Sequence, residues 1–145
     1  MPQVFGAVEA AAALAGLEDS SQTASAWEGV YTEAQAKRGQ AVYSSACAMC
    51  HGRRLNGAPD DPDMPSSPPL ARAKFLRDWE GRSLGALFEY MRATMPKGAP
   101  ATPTDEEYGD VISYMLSVSS MPAGDNNLQP KPQTLASPSS ASGHR

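Results

Sequence analysis

Cys47-Ala48-Met49-Cys50-His51 reads as CxxCH, and this run decides what the rest of the chain has to fold around. Two thiols three residues apart on one helical turn reach the two vinyl groups along one edge of a porphyrin as thioethers. The imidazole that follows then swings onto the iron from the same side. The run is the attachment signature of c-type haem, so the expected cofactor is one haem c bound through Cys47 and Cys50, with His51 as proximal ligand. Other uses of a CxxC pair fit the inventory worse. A structural zinc site takes four ligands, whereas the chain has two Cys and two His in all, and His144 is one residue from the end. A thioredoxin-type redox pair belongs between a strand and a helix, and the residues before Cys47 carry helical rather than strand periodicity.

Outward from the motif, three helical patterns are legible. Thr32 to Ala46 opens with Thr32 and Gln35 in capping-box spacing and sets Gly39 one turn before Tyr43, a small residue beside a large one on a close-packing face. A second pattern begins at Ser83 and carries Leu84, Leu87, Phe88 and Met91 on one stripe. The third has Thr104 and Glu107 as a capping box, Asp105 and Glu106 in the first turn, and Tyr108, Val111, Ile112, Met115 and Leu116 along one face. It is expected to stop near Met121-Pro122. With no strand-type alternation and no internal repeat, the fold class is all-α: three main helices with long loops. From Gly52 to Asp78 the chain holds five prolines and no sustained periodicity. So long a structureless connection implies an organiser other than side-chain packing, and a large apolar prosthetic group serves.

The sixth iron ligand is sought among the methionines, because His144 is remote. Met91 belongs to the second apolar stripe and Met115 to the third, and Met121 ends the latter, so all three read as packing. Met95 falls just past the second helix, where Pro96 biases it towards extended backbone and leaves its thioether on a loop. Met64, in the Pro-rich stretch, is the outside candidate.

The remaining composition sets the boundaries. A chain of 145 residues with 41% hydrophobic content holds one domain plus tails. The division expected is 1–30 as an N-terminal segment, 31–124 as the haem domain and 125–145 as a disordered Pro/Ser-rich tail. The N-terminal segment is Ala-rich and carries Ala24-Ser25-Ala26 as a small-residue cleavage pattern. It reads either as an atypical export signal or as a flexible lead, since no Lys or Arg precedes the apolar stretch and Glu9 interrupts it. No run approaches the roughly 18 apolar residues of a membrane span, and a net charge of −4 argues against nucleic acid. Asp60-Asp61-Pro62-Asp63 matches the spacing of no calcium loop and reads as a solvated turn.

Over residues 31–124 the chain resembles the class I, mitochondrial-type mono-haem cytochromes c, in particular the cytochrome c subunits and domains of bacterial quinoprotein dehydrogenases. The resemblance rests on Gly39 and Tyr43 before CAMCH, Pro68-Pro69-Leu70, Trp79-Glu80-Gly81-Arg82-Ser83-Leu84, Thr94-Met95-Pro96, and Tyr108 through Tyr114 leading to Pro122-Ala123-Gly124. It implies a cytochrome c fold wrapped around one covalent haem. It further implies that the Pro68 carbonyl accepts the proximal imidazole N–H, that Leu70 packs on the haem, that Trp79 and Arg82 approach a haem propionate, and that Met95 is the distal ligand. Gly39 and Tyr43 are implied to cross Tyr114 where the first and last helices meet. The chain departs from the family before the last helix, where Pro-Gly is frequent and Pro100-Ala101 stands here, and Pro103 replaces a usual apolar residue.

The function so implied is one-electron transfer with His/Met ligation, by a carrier rather than an enzyme, with no catalytic acid or base required. The expected partners are a quinoprotein or other dehydrogenase as donor and an oxidase or second cytochrome as acceptor. Because c-type maturation in bacteria takes place outside the cytoplasmic membrane, the expected location is the periplasm. Residues 37–97 carry ten Lys or Arg against six acids, a balance of +4, while everything else sums to −8. That basic stretch suits steering towards an acidic partner surface. Two alternatives stay open at this point: a five-coordinate haem that binds small ligands or supports peroxidase chemistry, and a fixed electron-relay subunit of a dehydrogenase complex.

Overall fold

Thr32 starts the first long helix as the spacing predicts: its hydroxyl accepts the Gln35 N–H at 3.1 Å and α1 runs Glu33–Ala46. The reciprocal half of the expected capping box is not made. In the computed structural model, which describes residues 26–57, 67–129 and 131, the Gln35 side chain is spent elsewhere. Its Nε2 donates to the Leu128 carbonyl at 3.0 Å and its Oε1 accepts the Leu128 N–H at 2.7 Å. A short turn α2, Ala48–His51, follows directly, with Cys47 between the two helices. Then come α3, Arg72–Asp78, α4, Leu84–Thr94, and α5, Asp105–Val118. Among the described residues a 3-10 turn, Ala26–Glu28, precedes these helices.

The described residues contain no strand, and the all-α class holds. The three long helices are those read from the sequence, each capped by the expected hydroxyl residue, with the complete capping box at Thr104 and Glu107. Two details differ. The stretch Gly52–Asp78 is not structureless throughout, because α3 forms there, its first N–H accepted by the Ser119 hydroxyl at 2.9 Å and its body anchored by the fully buried Phe75. And α5 ends at Val118 rather than near Met121. Ser120 turns left-handed at φ +71, the Met121 N–H returns to the Leu116 carbonyl at 3.1 Å and the Ser120 N–H to Ser117 at 3.0 Å. This is a Schellman ending with serine in the place usually taken by glycine, which is why no stop signal shows in the sequence.

The core is one cluster, built mainly where α1 crosses α5, with Leu84, Leu87, Phe88 and Met91 of α4 closing it. At the crossing the backbones touch: a Cβ on Gly39 would overlap the Asp110 carbonyl. Tyr43 and Tyr114 meet there with ring centroids 5.6 Å apart. The packed unit reaches past both ends of the expected 31–124 span. Ala26 is fully buried and Leu128 nearly so, and the Gly124 N–H donates to the Tyr31 carbonyl at 2.6 Å. The segment from Asp125 to Gln129, placed in the tail by composition, is thus clasped onto α1. The rest of the 1–30 segment up to residue 25, the Asp60-Asp61-Pro62-Asp63 cluster with Met64, and the tail apart from 125–129 and 131 lie outside the described residues.

The clasp is testable. Gln35 is 3% exposed, so Gln35→Ala strands a buried N–H and a buried C=O of Leu128. Urea denaturation of the haem-loaded protein should show a loss of about 1–3 kcal/mol. An unchanged midpoint would mean that the paired amides contribute nothing.

Candidate functional site

The CxxCH run sits at the break between α1 and α2, and the break sorts its side chains. The Cys47 N–H still donates to the Tyr43 carbonyl at 2.9 Å, and the His51 N–H returns to the Cys47 carbonyl at 3.0 Å, so the two thiols and the imidazole lie on consecutive turns of helical backbone. Cys47 and Cys50 are half-buried and free of disulfide, His51 is 7% exposed, and Met49 between them is 66% exposed. The motif therefore presents both sulfurs and the imidazole inward and its one large spacer outward. Tyr43 holds the turn from beneath, its hydroxyl donating to the Gly52 carbonyl at 2.6 Å.

The loop after the motif is tied back by its own backbone. Gly57 N–H donates to the His51 carbonyl at 3.0 Å, Ser67 N–H to Gly57 at 3.1 Å, and Leu70 N–H to Leu55 at 2.9 Å. Gly57 adopts φ +84, and a Cβ there would overlap the Ser67 carbonyl, so only glycine lets the two arms close. This closure brings Pro68 to His51. The imidazole Nδ1 lies 2.8 Å from the Pro68 carbonyl. A carbonyl only accepts, so Nδ1 carries the proton and Nε2 is left with its lone pair. Burial lowers the His51 pKa, partly offset by the Pro68 bond, which favours the neutral imidazole that a metal requires. The donor set thus fits a c-type haem: two thiols on one turn and one imidazole in the ligating tautomer.

The same surroundings disfavour a redox dithiol. Burial, then the neighbouring Cys50, pushes the Cys47 thiol up to about 11, whereas attacking thiols in exchange chemistry are held low. Among the described residues no group of three or more His, Cys, Asp or Glu is placed to hold a metal ion.

The other predicted residues are placed as follows. Leu70 is partly buried against the core, beside Ala71. Arg82 stacks its guanidinium 4.2 Å from the centre of the Trp79 ring, and Trp79 in turn meets Tyr90 edge-on at 5.7 Å. The Trp79–Arg82 pair is therefore a preformed unit on the surface between α3 and α4. Met91 faces the core, and Met115 and Met121 are buried. Met95 caps α4 outside the helix, with extended backbone at φ −126 and ψ 148 and a half-buried side chain.

Tyr108 carries a role the sequence reading missed. Counted there as part of an apolar stripe, it donates its hydroxyl to the Met95 carbonyl at 2.6 Å and accepts the Ala101 N–H at 3.0 Å. Burial raises the phenol's pKa, so it stays a donor at neutral pH. A tyrosine in place of an aliphatic residue on that stripe was the available signal.

The family model described as Cytochrome C oxidase, cbb3-type, subunit III matches residues 34–115, more than half of the chain. The match takes in the CxxCH turn, the Pro68 loop, Met95 and most of α5. No curated protein and no solved structure matches the chain.

Proposed function

Because the chain belongs to this cytochrome c family, in which haem c is bound covalently and serves electron transfer, we propose that it is a one-electron carrier with His51 and Met95 as axial ligands. Its fold is the all-α cytochrome c fold. The observation that carries the proposal is the buried His51 held by the Pro68 carbonyl one residue after a free thiol pair.

When bound, a c-type haem supplies one-electron redox chemistry at its iron. The chain's own residues do the rest. Cys47 and Cys50 would hold one porphyrin edge as thioethers. The Pro68 carbonyl fixes the His51 ring and its tautomer. The Met95 thioether would be the second protein ligand, and such ligation would exclude oxygen and peroxide and favour one-electron transfer. No residue is required to move a proton, and the carrier reading needs no catalytic acid or base.

We assign the donor as an exported quinoprotein or other dehydrogenase, supported by the sequence resemblance through Trp79–Leu84 and Thr94–Pro96. An oxidase or second cytochrome is the acceptor, and the oxidase subunit named by the family supports that side. We place it in the periplasm, on the ground that c-type haem attachment in bacteria takes place outside the cytoplasmic membrane. Among the described residues no helix is long and apolar enough to cross a membrane.

One spectrum tests the reading. A pyridine haemochrome assay should return one haem per chain with both thiols unreactive, and the oxidised protein should show the near-infrared band of sulfur bound to ferric haem. A matured protein with reactive thiols and no haem would overturn the cofactor. Haem without the band would overturn Met95 and favour the five-coordinate alternative.

A further inference from the structure

Between α4 and α5 the chain makes a short loop, Met95 to Ala101, and both its ends converge on one oxygen. The Tyr108 hydroxyl donates to the Met95 carbonyl at 2.6 Å and accepts from the Ala101 N–H at 3.0 Å, which uses its one proton and a lone pair together. The Met95 end is also tied to α4 by its N–H, which donates to the Met91 carbonyl at 2.7 Å, whereas the Ala101 end has less to hold it. Ala101 is exposed and sits at φ +62, a backbone conformation that an alanine side chain disfavours. Within the loop the backbone is closed by the Ala99 N–H to the Pro96 carbonyl at 2.9 Å. The ring that carries the hydroxyl is rigid: it is 3% exposed, on the first full turn of a helix begun by a complete capping box, and edge-on to Phe88 at 6.2 Å.

We propose that Tyr108 is the positioning residue for the sixth iron ligand, clamping both ends of the 95–101 loop so that the Met95 thioether projects from a fixed backbone. The proposal rests on the reading of Met95 as that ligand. A loop without the clamp keeps its sulfur ligand at equilibrium but releases it more often, because opening then breaks fewer bonds. The clamp acts on how often the iron loses its sulfur, and so on how far the haem is closed to exogenous ligands. The Tyr108 hydroxyl bonds backbone groups, and Tyr108 is no ligand itself.

The test is Tyr108→Phe in the haem-loaded protein, which keeps the ring and its packing and removes one oxygen. Ala101 is exposed and Met95 half-buried, so overall stability should change little. The readout is the rate at which saturating imidazole replaces the sulfur, followed by loss of the near-infrared band. We expect Tyr108→Phe to retain the band and to exchange about tenfold faster than the parent, as the loss of one or two hydrogen bonds implies. Gln35→Ala, destabilised at the distant clasp, should exchange at the parent rate. Equal rates for the parent and Tyr108→Phe, or an equal acceleration by Gln35→Ala, would overturn the clamp while leaving Met95 as ligand. A parent protein without the band would remove Met95 itself, and the clamp with it.

Discussion

Met95→Ala should abolish the near-infrared sulfur band, open the reduced iron to carbon monoxide at neutral pH, and lower the potential by on the order of 0.1 V or more, given that axial ligation spreads haem potentials over roughly 0.8 V. The fold should survive the change. Met95 is held through its backbone, its N–H donating to the Met91 carbonyl at 2.7 Å and its carbonyl accepting from Tyr108, and alanine keeps both bonds. Its side chain lies outside the helix and only half-buried, so truncation leaves little cavity. Met91→Ala gives the opposite pattern. That side chain is buried on the core face of α4, and its loss should cost about 2–5 kcal/mol while the band remains. Titration with carbon monoxide, redox potentiometry and urea denaturation of the two variants separate the outcomes. Exchange of the two phenotypes would make Met91 the ligand.

Gly39→Ala should damage the fold severely. The added carbon would run into the carbonyl of Asp110 and approach the amide nitrogen of Val111, both backbone atoms of α5, so no rotamer change can relieve it. The helices must separate along the interface that supplies most of the core, loosening the Tyr43–Tyr114 contact and the Arg38–Asp110 pair at 3.3 Å. Overpacking of this kind costs about 3 kcal/mol or more, at the high end for point changes. Gln40→Ala, one residue on and exposed, should stay within about 0.5 kcal/mol of the parent. Denaturation midpoints of the haem-loaded variants decide it. A Gly39→Ala protein as stable as the parent would mean that the helices do not pack at van der Waals contact.

Much of this molecule is local and therefore legible. Thr32, Ser83 and Thr104 announce their helices because a hydroxyl at the N-cap answers an amide two or three residues away. The stripes of α4 and α5 show because burial repeats with the helical period. What escaped was non-local or took an unusual residue. The end of α5 was misplaced by three residues because Ser120, not glycine, adopts the left-handed turn. Helix α3 is two turns long, capped only by the Ser119 hydroxyl forty-seven residues away, and held by Phe75 in a core assembled from elsewhere. Gln35 has the spacing of a capping-box partner, yet its amide pairs with Leu128, ninety-three residues away, and so brings part of a compositionally disordered tail into the domain.

The amino-acid order alone determined the CxxCH run, the helical class and the three capped helices, because a motif, a cap and a stripe each depend on residues within a few positions of one another. Tertiary structure set the Pro68 carbonyl, which only the family resemblance had implied, against His51, and decided which oxygen holds the Met95 loop and which residue past Gly124 clasps α1. Those choices join residues seventeen, thirteen and ninety-three positions apart, and no local preference selects such a partner until the crossing of α1 and α5 has brought the chain together.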